Sequence, residues 1–568
     1  MARRSNAPLV WASIAACVAL RRGVSSFETS STIGNAHRAL GKPIRQPSSV
    51  VLRSYDDWYI EDEAIGDGAT LGDSRESADG DEGKDNKDNR VYFATCIPGL
   101  EQALAGELVE IGAKRVQAEG RSGVRFEGSP LVGLKALVYS RTMHKLLELV
   151  ASSAVHQPDS GDDYGYQDFS RGIRTSRDLY DFVQSNVHVP SLLGDGKGGL
   201  LTMSVGTIYS GRPPKELSHT HYTALTVKNS IVDLVRDLRD DGERPDVDIV
   251  CPDVPLILFV NARRQFRSRN WETEDSDVDI AADVDLYRCL HSSGSLHKRG
   301  YRADDSGDAT APIHRAAMKE SLAAGLLLEA GWGKLVNDAR GNGRGAVLLD
   351  PMTGSATFPV EAALIAGDVA PALVRIASWR GRGPNPHASP SFLKWKDFTS
   401  EETWNELIAR ATQRAKVGLQ WAQSETVGGC PSVKILCNEQ NPGAADLAAS
   451  SIKKAGVSNI ISLHRGDCID WHLEDDEVIE GRTMVVSNPP WGIRLTEEID
   501  TSWVNLREFL RREAGGTEAW ILSGNPALTK ILRMKKSRSV CIKTGEQDLR
   551  FLKYSIFAKK PVDNEVMR

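Results

Sequence analysis

The sequence lacks the features that define several common classes of protein. Its eight cysteines include no C-x-x-C pair, which argues against a zinc ribbon or a dense disulfide framework and favours a reducing compartment. The 70 Lys and Arg residues do not outnumber the 76 Asp and Glu residues, so a uniformly basic nucleic-acid binder is excluded, while a local basic face is not. No run of about 18 apolar residues follows the N-terminal region, so we expect the mature chain not to span a membrane.

The first 90 residues differ in composition from the rest of the chain. Residues 1–53 hold eight Lys and Arg but a single acid, and they include the apolar stretch Ala7–Leu20. This composition is typical of targeting sequences and predicts a leader over residues 1–55. It resembles the two-part leader of proteins imported into complex plastids, so we expect a chloroplast location; a mitochondrial presequence and a disordered tail are the alternatives. Thirteen acids within residues 56–88 predict an acidic disordered linker over residues 56–90.

The remaining chain has an ordinary globular composition, and its pattern first predicts a small ferredoxin-like unit over residues 91–155. A short strand, Arg90–Thr95, precedes a helix that Pro98-Gly99 opens and Gly112 ends. Alternating residues around Val124 and Phe126 predict a second strand, and Leu131–Ala151 is apolar enough for a second helix. The order strand, helix, strand, helix within about 60 residues is typical of that unit.

A second α/β unit is predicted over residues 156–275. A strand over Leu200–Tyr209, an amphipathic helix over Ala224–Leu238 and a buried strand over Pro255–Val260 make up this unit. An arginine cluster follows the last strand: Arg263, Arg264, Arg267 and Arg269 surround Phe266. Guanidinium groups beside an aromatic ring suit RNA phosphates and a stacked base. The competing interpretation is a solvated charged loop.

From about residue 295 to residue 568 the pattern predicts a larger α/β domain. A long helix over Pro312–Trp332 leads into a short apolar strand, Ala346–Leu349, and strands then alternate with helices. This alternation predicts a doubly wound parallel sheet, in which ligands bind beyond the carboxyl ends of the strands.

The first of these strand ends carries a loop of small residues. Asp350 follows the strand, and the loop continues through Gly354 to a helix that begins near Phe358. Small residues allow the backbone to approach a ligand closely, and the carboxylate can accept a hydrogen bond from an ammonium or hydroxyl group. The order of the glycines matches neither a dinucleotide-binding fingerprint nor a P-loop.

Two further strands end in acids. Glu439 lies at the tip of the strand Val433–Glu439, where a carboxylate can bind two ribose hydroxyls. Asp467 follows a strand over residues 460–463 and could accept a hydrogen bond from an adenine amino group. Taken alone, each residue is better explained as a helix cap or a turn residue than as a ligand-binding residue.

The fourth strand end is the most informative. Asn488-Pro489-Pro490-Trp491 follows the apolar strand that contains Val485 and Val486. The two prolines fix the backbone and remove N–H donors, which leaves the Asn488 carboxamide and the Pro489 carbonyl as acceptors for a planar amino group. Trp491 offers a flat face for a base that has been flipped out of a helix.

These motifs resemble the THUMP-domain 23S rRNA guanine-N2 methyltransferases. The loop DPMTGSATFPVEAALIA resembles their S-adenosylmethionine loop, and SNPPWGIRL resembles their N-P-P-[YFW] motif. FATCIPGLEQALAGEL near the start and SLHKRGYR before the last domain also resemble the family, so the similarity covers roughly residues 91–560. The resemblance implies an α/β fold: a class I methyltransferase sheet over 295–568, preceded by the ferredoxin-like unit and a THUMP RNA-binding domain over 156–275.

The resemblance also implies roles for individual residues. Asp350, Gly354, Glu439 and Asp467 match positions that bind S-adenosylmethionine. Asn488, Pro489, Pro490 and Trp491 match the catalytic motif that holds the target amine. Arg299 and Arg302 match a segment before the catalytic domain and join Arg263, Arg264 and Arg267 as candidate RNA contacts. No metal is implied.

The loop departs from the family pattern D-P-[MF]-C-G-S-G at two places. Thr353 stands in place of Cys, and Ala356 stands in place of the second Gly. If that position needs a positive φ, alanine costs roughly 1–2 kcal/mol of backbone strain.

The resemblance predicts an enzyme that methylates the exocyclic N2 of a guanine in large-subunit rRNA. The alternatives within the same chemistry are tRNA guanine-N2 and adenine-N6 methylation, because N-P-P-[YFW] motifs serve several amino groups. The alternative of another class is an RNA-binding ribosome assembly factor without catalysis, which Ala356 favours and the intact Asn488 motif opposes.

Overall fold

The computed structural model describes residues 89–557 except for gaps at 120–121, 155–171, 240–241, 243, 264–280, 292–294, 303–317, 381–383, 427–428, 475–477, 479, 493–496 and 546. The predicted leader and nearly all of the predicted linker lie outside the described residues. The described chain forms two seven-stranded sheets, each with helices packed against it.

The first sheet contains the N-terminal half of the described chain. Its strands are β1 (Arg90–Thr95), β2 (Lys114–Glu119), β3 (Gly123–Gly128), β4 (Lys145–Ser152), β5 (Met203–Ser210), β6 (Val254–Ala262) and β7 (Ala282–Cys289). Their order across the sheet is β2-β3-β1-β4-β7-β6-β5, and only β5 and β6 pair in parallel.

Five helices accompany this sheet. They are α1 (Glu101–Glu110), α2 (Pro130–Tyr139), α3 (Ser176–Asn186), α4 (Val189–Leu193) and α5 (Thr220–Leu238). The helix predicted over Leu131–Ala151 is wrong in its second half, where β4 stands. The chain leaves α2 because the Glu107 carboxylate of α1 accepts hydrogen bonds from the backbone of Arg141 and Thr142, which anchors the turn before the strand.

The two predicted small units share one sheet. Strands β1 to β4 have the order β2-β3-β1-β4 of a ferredoxin-like unit, and β7 then pairs with β4 in antiparallel fashion, Leu147 opposite Cys289. The second unit therefore extends the sheet of the first instead of folding as a separate body. This pairing joins residues about 140 positions apart, which local sequence patterns do not reveal.

The second sheet confirms the predicted class of fold. Its strands are β8 (Ala346–Asp350), β9 (Val433–Glu439), β10 (Ile461–Arg465), β11 (Thr483–Ser487), β12 (Glu518–Ser523), β13 (Lys536–Thr544) and β14 (Gln547–Ser555). The order is β10-β9-β8-β11-β12-β14-β13, in which the first five strands are parallel and the last two form an antiparallel hairpin.

Helices cover both faces of this sheet, as a parallel sheet requires. They are α6 (Glu320–Ala330), α7 (Trp332–Asn342), α8 (Thr357–Ala366), α9 (Pro371–Ser378), α10 (Glu401–Ala422), α11 (Pro442–Lys454), α12 (Glu497–Glu513) and α13 (Pro526–Ile531). One apolar core runs through the first sheet and one face of the second, and another fills the opposite face around Trp503 and Phe509. Within the described segments, no helix is long and apolar enough to cross a membrane.

Candidate functional site

The four predicted motifs meet at one edge of the second sheet. Asp350 is the last residue of β8, Glu439 is the last residue of β9, Asp467 follows β10 by two residues, and Asn488 follows β11 directly. Since β10, β9, β8 and β11 are parallel neighbours, their carboxyl ends lie side by side. The fold therefore places residues that are 138 positions apart in sequence around one opening.

The loop after β8 has an unusual backbone. Gly354 and Ala356 both have positive φ values, +57° and +61°. A β-carbon on Gly354 would have no heavy atom within 4 Å, so open space lies directly above this backbone. Ala356 is buried and stands immediately before α8. Ala356, which replaces the second glycine of the family pattern, therefore lies at a position that needs the left-handed conformation. Its β-carbon strains the backbone there.

Glu439 ties this loop to the neighbouring strand. One carboxylate oxygen accepts a hydrogen bond from Gly354 N at 2.7 Å, and the other accepts from Asn441 N at 2.8 Å. The backbone carbonyl of Glu439 accepts from Gly466 N at 3.2 Å. The carboxylate is partly exposed, so it retains acceptor capacity toward a ligand in the opening.

Asp350 links the loop to the strand that carries the Asn488 motif. It is fully buried, and its Oδ1 accepts hydrogen bonds from Ser487 Oγ at 3.0 Å and from Met352 N at 3.3 Å. Burial raises the pKa of Asp350 to about 7, although the hydroxyl of Ser487 opposes the shift. The carboxyl group is therefore poised to gain or lose a proton near neutral pH.

Asn438 is a site residue that sequence reasoning missed. It is buried near the end of β9, between Cys437 and Glu439. Its Nδ2 donates to the carbonyl of Pro351 at 3.1 Å, and its Oδ1 lies 2.7 Å from His464 Nδ1. Its own carbonyl accepts from Thr353 N at 2.9 Å. Asn438 therefore holds the loop after β8 against β9 and β10. The available signal was a lone amide in the apolar run before Glu439.

Asp467 is fixed by a residue that its local sequence does not indicate. Its Oδ1 accepts from Ile469 N at 3.1 Å, as a cap residue does, and its Oδ2 accepts from Asn505 Nδ2 at 2.8 Å. Asn505 lies on α12, 38 positions further along the chain. Both the cap interpretation and a ligand-facing role are compatible with this geometry, because Asp467 remains partly exposed.

The Asn488 motif is held by two indole hydrogen bonds and is half-exposed. Trp491 Nε1 donates to Asn488 Oδ1 at 2.8 Å, and the carbonyl of Pro490 accepts from Trp503 Nε1 at 2.9 Å. Trp491 packs directly on the backbone after β12, since a β-carbon on Gly524 would lie 2.9 Å from its ring. Pro489 is buried. The carboxamide oxygen of Asn488 retains a second lone pair, so the motif can still accept a hydrogen bond from an amine.

Two of the candidate RNA contacts are corrected by the structure. Arg299 is fully buried, donates to the carbonyls of Leu296 and Arg141, and lies 3.5 Å from Glu361. Arg302 forms an ion pair with Glu320 at 2.8 Å, and its side chain is 13% exposed. The sequence match that indicates an RNA contact at these two arginines carries no information on their burial. They stabilise the junction before α6 and are not available to RNA.

The arginine cluster after β6 is described only at its start. Arg263 forms an ion pair with Asp283 of β7 at 2.8 Å, with its side chain about one-third exposed. Arg264, Arg267 and Arg269 lie outside the described residues. The structure therefore places only Arg263, which directly follows β6 of the first sheet, and the choice between RNA contacts and a solvated loop stays open.

The chemistry of the opening suits a nucleoside with an amino acid tail. The open space above Gly354 provides room for a ligand. Acceptors for its hydroxyl and amino groups are the partly exposed carboxylates of Glu439 and Asp467 and the buried carboxyl of Asp350. In the part of the chain that the structure describes, no group of three or more His, Cys, Asp or Glu residues could hold a metal ion.

Comparison with known families identifies two domains. Residues 308–553 match a family described as the RMKL-like methyltransferase domain, and residues 91–147 match the RlmL ferredoxin-like domain. Among curated proteins, the chain is 29% identical over 467 residues to ribosomal RNA large subunit methyltransferase K/L from Syntrophotalea carbinolica, and 29% identical over 479 residues to the protein of the same name from Pseudomonas aeruginosa. These matches cover 82% and 83% of this chain but 53% and 54% of the relatives, so the chain spans about half of their length.

Solved structures show the same fold. A possible methylase from Clostridium difficile 630 superposes with a TM-score of 0.58 at 19% identity, covering 84% of this chain and all of that one. SMU.472, solved in complex with SAH, gives a TM-score of 0.57 at 17% identity with the same coverage. The fold, the site geometry and the family matches agree: this chain carries an RMKL-like methyltransferase domain over residues 308–553, preceded by an RlmL ferredoxin-like domain over residues 91–147.

Proposed function

We propose that this protein transfers a methyl group from S-adenosylmethionine to the exocyclic N2 of a guanine in large-subunit rRNA. The observation that carries the proposal is the junction of two motifs at one sheet edge. Asn488-Pro489-Pro490-Trp491 follows β11, and Ser487 of the same strand donates a hydrogen bond to Asp350, the last residue of β8 before the loop of small residues. A site for the methyl donor thus adjoins a site for a planar amine.

The residues present fit S-adenosylmethionine. The positive φ of Gly354 and the open space above it leave room for the methionine part, and Glu439, at 2.7 Å from Gly354 N, lies where ribose hydroxyls would be bound. Asp467 would accept from the adenine amino group. When bound, this cofactor supplies an electrophilic methyl group, so the protein needs no covalent nucleophile.

The task of the protein is then to orient the amine. Asn488 would accept a hydrogen bond from the target amino group through the lone pair that Trp491 leaves free. Trp491 would stack on the base, since its ring is partly exposed and its position is fixed against Gly524. The two prolines hold the backbone in the orientation that presents these groups. Alignment of the nitrogen lone pair with the methyl group is the main catalytic contribution.

The choice of RNA rests on the relatives and on the N-terminal half. Both curated relatives are named for large-subunit ribosomal RNA, and we infer the same substrate class here. We further propose that residues 156–275 are a THUMP RNA-binding domain, in which Arg263, Arg264 and Arg267 contact phosphates. Arg263 supports this assignment because its side chain remains about one-third exposed at the end of β6 despite its ion pair with Asp283.

Calorimetric titration with S-adenosylmethionine separates this enzyme from a non-catalytic assembly factor. We expect saturable binding by the wild-type protein and a loss of at least about tenfold in affinity for Glu439→Ala, because that variant loses the acceptor for the ribose. Glu406→Ala, which removes an exposed acid on α10, is the matched control. Absence of binding to the wild-type protein would contradict the proposal.

The location is a separate proposal. We infer that residues 1–55 direct the protein to a chloroplast, because the apolar stretch Ala7–Leu20 is followed by an acid-poor stretch through Arg53. A fusion of residues 1–55 to a fluorescent protein should enter the plastid of a host with complex plastids. Deletion of Ala7–Leu20 should block that import, whereas entry into mitochondria or diffuse cytosolic fluorescence of the intact fusion would contradict the proposal.

A further inference from the structure

The hairpin β13–β14 at the end of the second sheet and the residues just before it are rich in basic residues. Residues 530–553 contain eight Lys and Arg but two acids, in a chain whose net charge is −6. The basic residues are Lys530, Arg533, Lys535, Lys536, Arg538, Lys543, Arg550 and Lys553. Arg538 and Lys553 are neutralised by ion pairs with Glu329 and Glu518 at 3.0 and 2.6 Å, so these two stabilise the fold.

Arg550 differs from those two because it lies beside the candidate active site. In the register of the sheet it stands opposite Ser523, the last residue of β12. The next residue, Gly524, is the one on which Trp491 packs. Strands lie about 4.8 Å apart, so the backbone of Arg550 is roughly 10 Å from the end of β11, where Asn488 begins the motif.

The side chain of Arg550 is exposed, and its charge is not compensated by any residue that the structure describes. Its neighbours Leu549 and Phe551 are buried, and the alternation of a strand therefore directs Arg550 to the opposite face, where it is exposed. Among the described residues, none forms an ion pair with it. The acid nearest in the register, Asp548, stands opposite Lys543 on β13. A free guanidinium of this kind suits a phosphate, which it can bind through two parallel hydrogen bonds.

The loop that follows β1 of the first sheet contacts this same part of the hairpin. Lys543 N donates to the carbonyl of Pro98 at 3.1 Å, and Gly99 lies so close to Cys541 that a β-carbon there would overlap the Cys541 carbonyl. Cys541 is directly opposite Arg550. The surface around Arg550 is therefore continuous with the N-terminal half, which under the proposed function holds the rest of the RNA.

We propose that Arg550 binds a phosphate of the RNA strand next to the target nucleotide. The inference rests on the proposed function and adds a phosphate-binding residue in the methyltransferase domain itself. A base that is flipped toward Trp491 displaces its own backbone, and a phosphate contact roughly 10 Å away fixes the register of that backbone without reading sequence.

Binding of a bacterial 23S rRNA transcript at several salt concentrations tests this proposal. Arg550→Gln should weaken binding about 3- to 10-fold and flatten the dependence of log K on log salt by about 0.7, the value for one lost phosphate contact on single-stranded RNA. Arg550→Lys should recover the slope. Lys453→Gln is the matched control, because Lys453 is an exposed cation in the last turn of α11, away from the carboxyl ends of the strands. Equal affinities and slopes for Arg550→Gln and Lys453→Gln would overturn the proposal.

Alkylation of two exposed cysteines gives a second test that does not depend on activity. Cys541 and Cys251 are both exposed, and only Cys541 stands opposite Arg550. Peptide mapping after treatment with N-ethylmaleimide should show that the transcript slows alkylation of Cys541 in the wild-type protein, and less so in Arg550→Gln. The rate of alkylation at Cys251, measured in the same sample, is the control. An alkylation rate at Cys541 that does not change when the transcript binds would overturn the proposal.

These results are distinguishable from failure of the proposed function. If the wild-type protein transfers no methyl group to any RNA, the proposed function fails. If it does so and Arg550→Gln matches Lys453→Gln in both affinity and salt dependence, only the role of Arg550 fails. In either case, affinity for S-adenosylmethionine should be the same in Arg550→Gln as in the wild-type protein.

Discussion

At the scale of single residues, the loop after β8 holds a strained alanine. Ala356 has a φ of +61° and is buried before α8, where glycine would avoid the clash of its β-carbon. Ala356→Gly should raise the free energy of unfolding by about 1 kcal/mol, which denaturant titration can measure. The control is Ala362→Gly within α8, which should instead lower it by at least about 1 kcal/mol. A loss of stability in Ala356→Gly would contradict the strain argument.

The buried carboxyl of Asp350 makes stability depend on pH. Burial raises its pKa to about 7, above the value of about 4 in an unfolded chain. The folded protein therefore binds this proton more tightly, and its contribution to stability is complete below about pH 4 and is lost as the pH rises through 7.

Asp350→Asn should remove that loss while keeping an acceptor for Ser487. We expect the variant to be more stable than the wild-type protein by about 2–4 kcal/mol at pH 8 and equal to it near pH 4, measured by denaturant titration at each pH. A difference that does not change with pH would show that Asp350 does not titrate in this range. The same variant should bind S-adenosylmethionine more weakly, because the carboxylate charge is gone.

Sequence reasoning selected Asp350, Glu439, Asp467 and Asn488, and the fold brings all four to one edge because parallel strands end there. It did not find Asn438 or Asn505, because an amide that supports a site residue lies at no characteristic sequence distance from that residue. It also assigned Arg299 to RNA, and the structure buries that side chain against Glu361. The partner lies 62 positions away in sequence, where no local pattern points to it.

At the scale of elements, strands bounded by clear turn signals could be predicted closely. β1 and β9 have the predicted bounds, Arg90–Thr95 and Val433–Glu439. The long apolar segment Leu131–Ala151 was misassigned because a buried helix followed by a buried strand has no change in hydrophobicity. The break is set by the distant carboxylate of Glu107, a tertiary contact.

Helix α12 supports the cofactor site through one amide. Asn505 Nδ2 donates to Asp467 Oδ2 at 2.8 Å, and a hydrogen bond to a carboxylate is worth about 1.5–3 kcal/mol. Asn505→Ala should therefore weaken binding of S-adenosylmethionine by roughly tenfold in calorimetric titration. Ser502→Ala, which changes a partly exposed residue one turn earlier on the same helix, should leave binding unchanged. Equal affinities of the two variants would remove Asp467 from the cofactor site.

At the scale of the whole molecule, a buried ionic cluster joins the two halves. Glu361 of α8 is fully buried, 3.5 Å from Arg299 and 3.2 Å from the hydroxyl of Tyr301. Arg141, on the turn before β4, donates to the carbonyl of Val369 between α8 and α9. The helix that follows the cofactor loop is thus attached to the N-terminal sheet.

Glu361→Gln should destabilise the whole described chain, because it leaves the buried charge of Arg299 without a carboxylate. We expect a loss of roughly 3 kcal/mol in the free energy of unfolding, monitored by Trp fluorescence during denaturation. Glu406→Gln is the control: its pair with Arg410 is exposed on both sides and contributes well under about 1 kcal/mol. A Glu361→Gln protein as stable as this control would show that the cluster does not hold the halves together.

The central proposal is that the Asn488 motif and the loop after β8 together methylate guanine N2 in an RNA that the N-terminal half binds. The most direct measurement is mass spectrometry of nucleosides from unmodified 23S rRNA and tRNA transcripts, after incubation with isotope-labelled S-adenosylmethionine and either wild-type protein or Asn488→Ala. We predict labelled N2-methylguanosine in the 23S rRNA with the wild-type protein, and at least about a 10²-fold lower rate with Asn488→Ala. Label in N6-methyladenosine or in tRNA, or an active Asn488→Ala protein, would contradict the account.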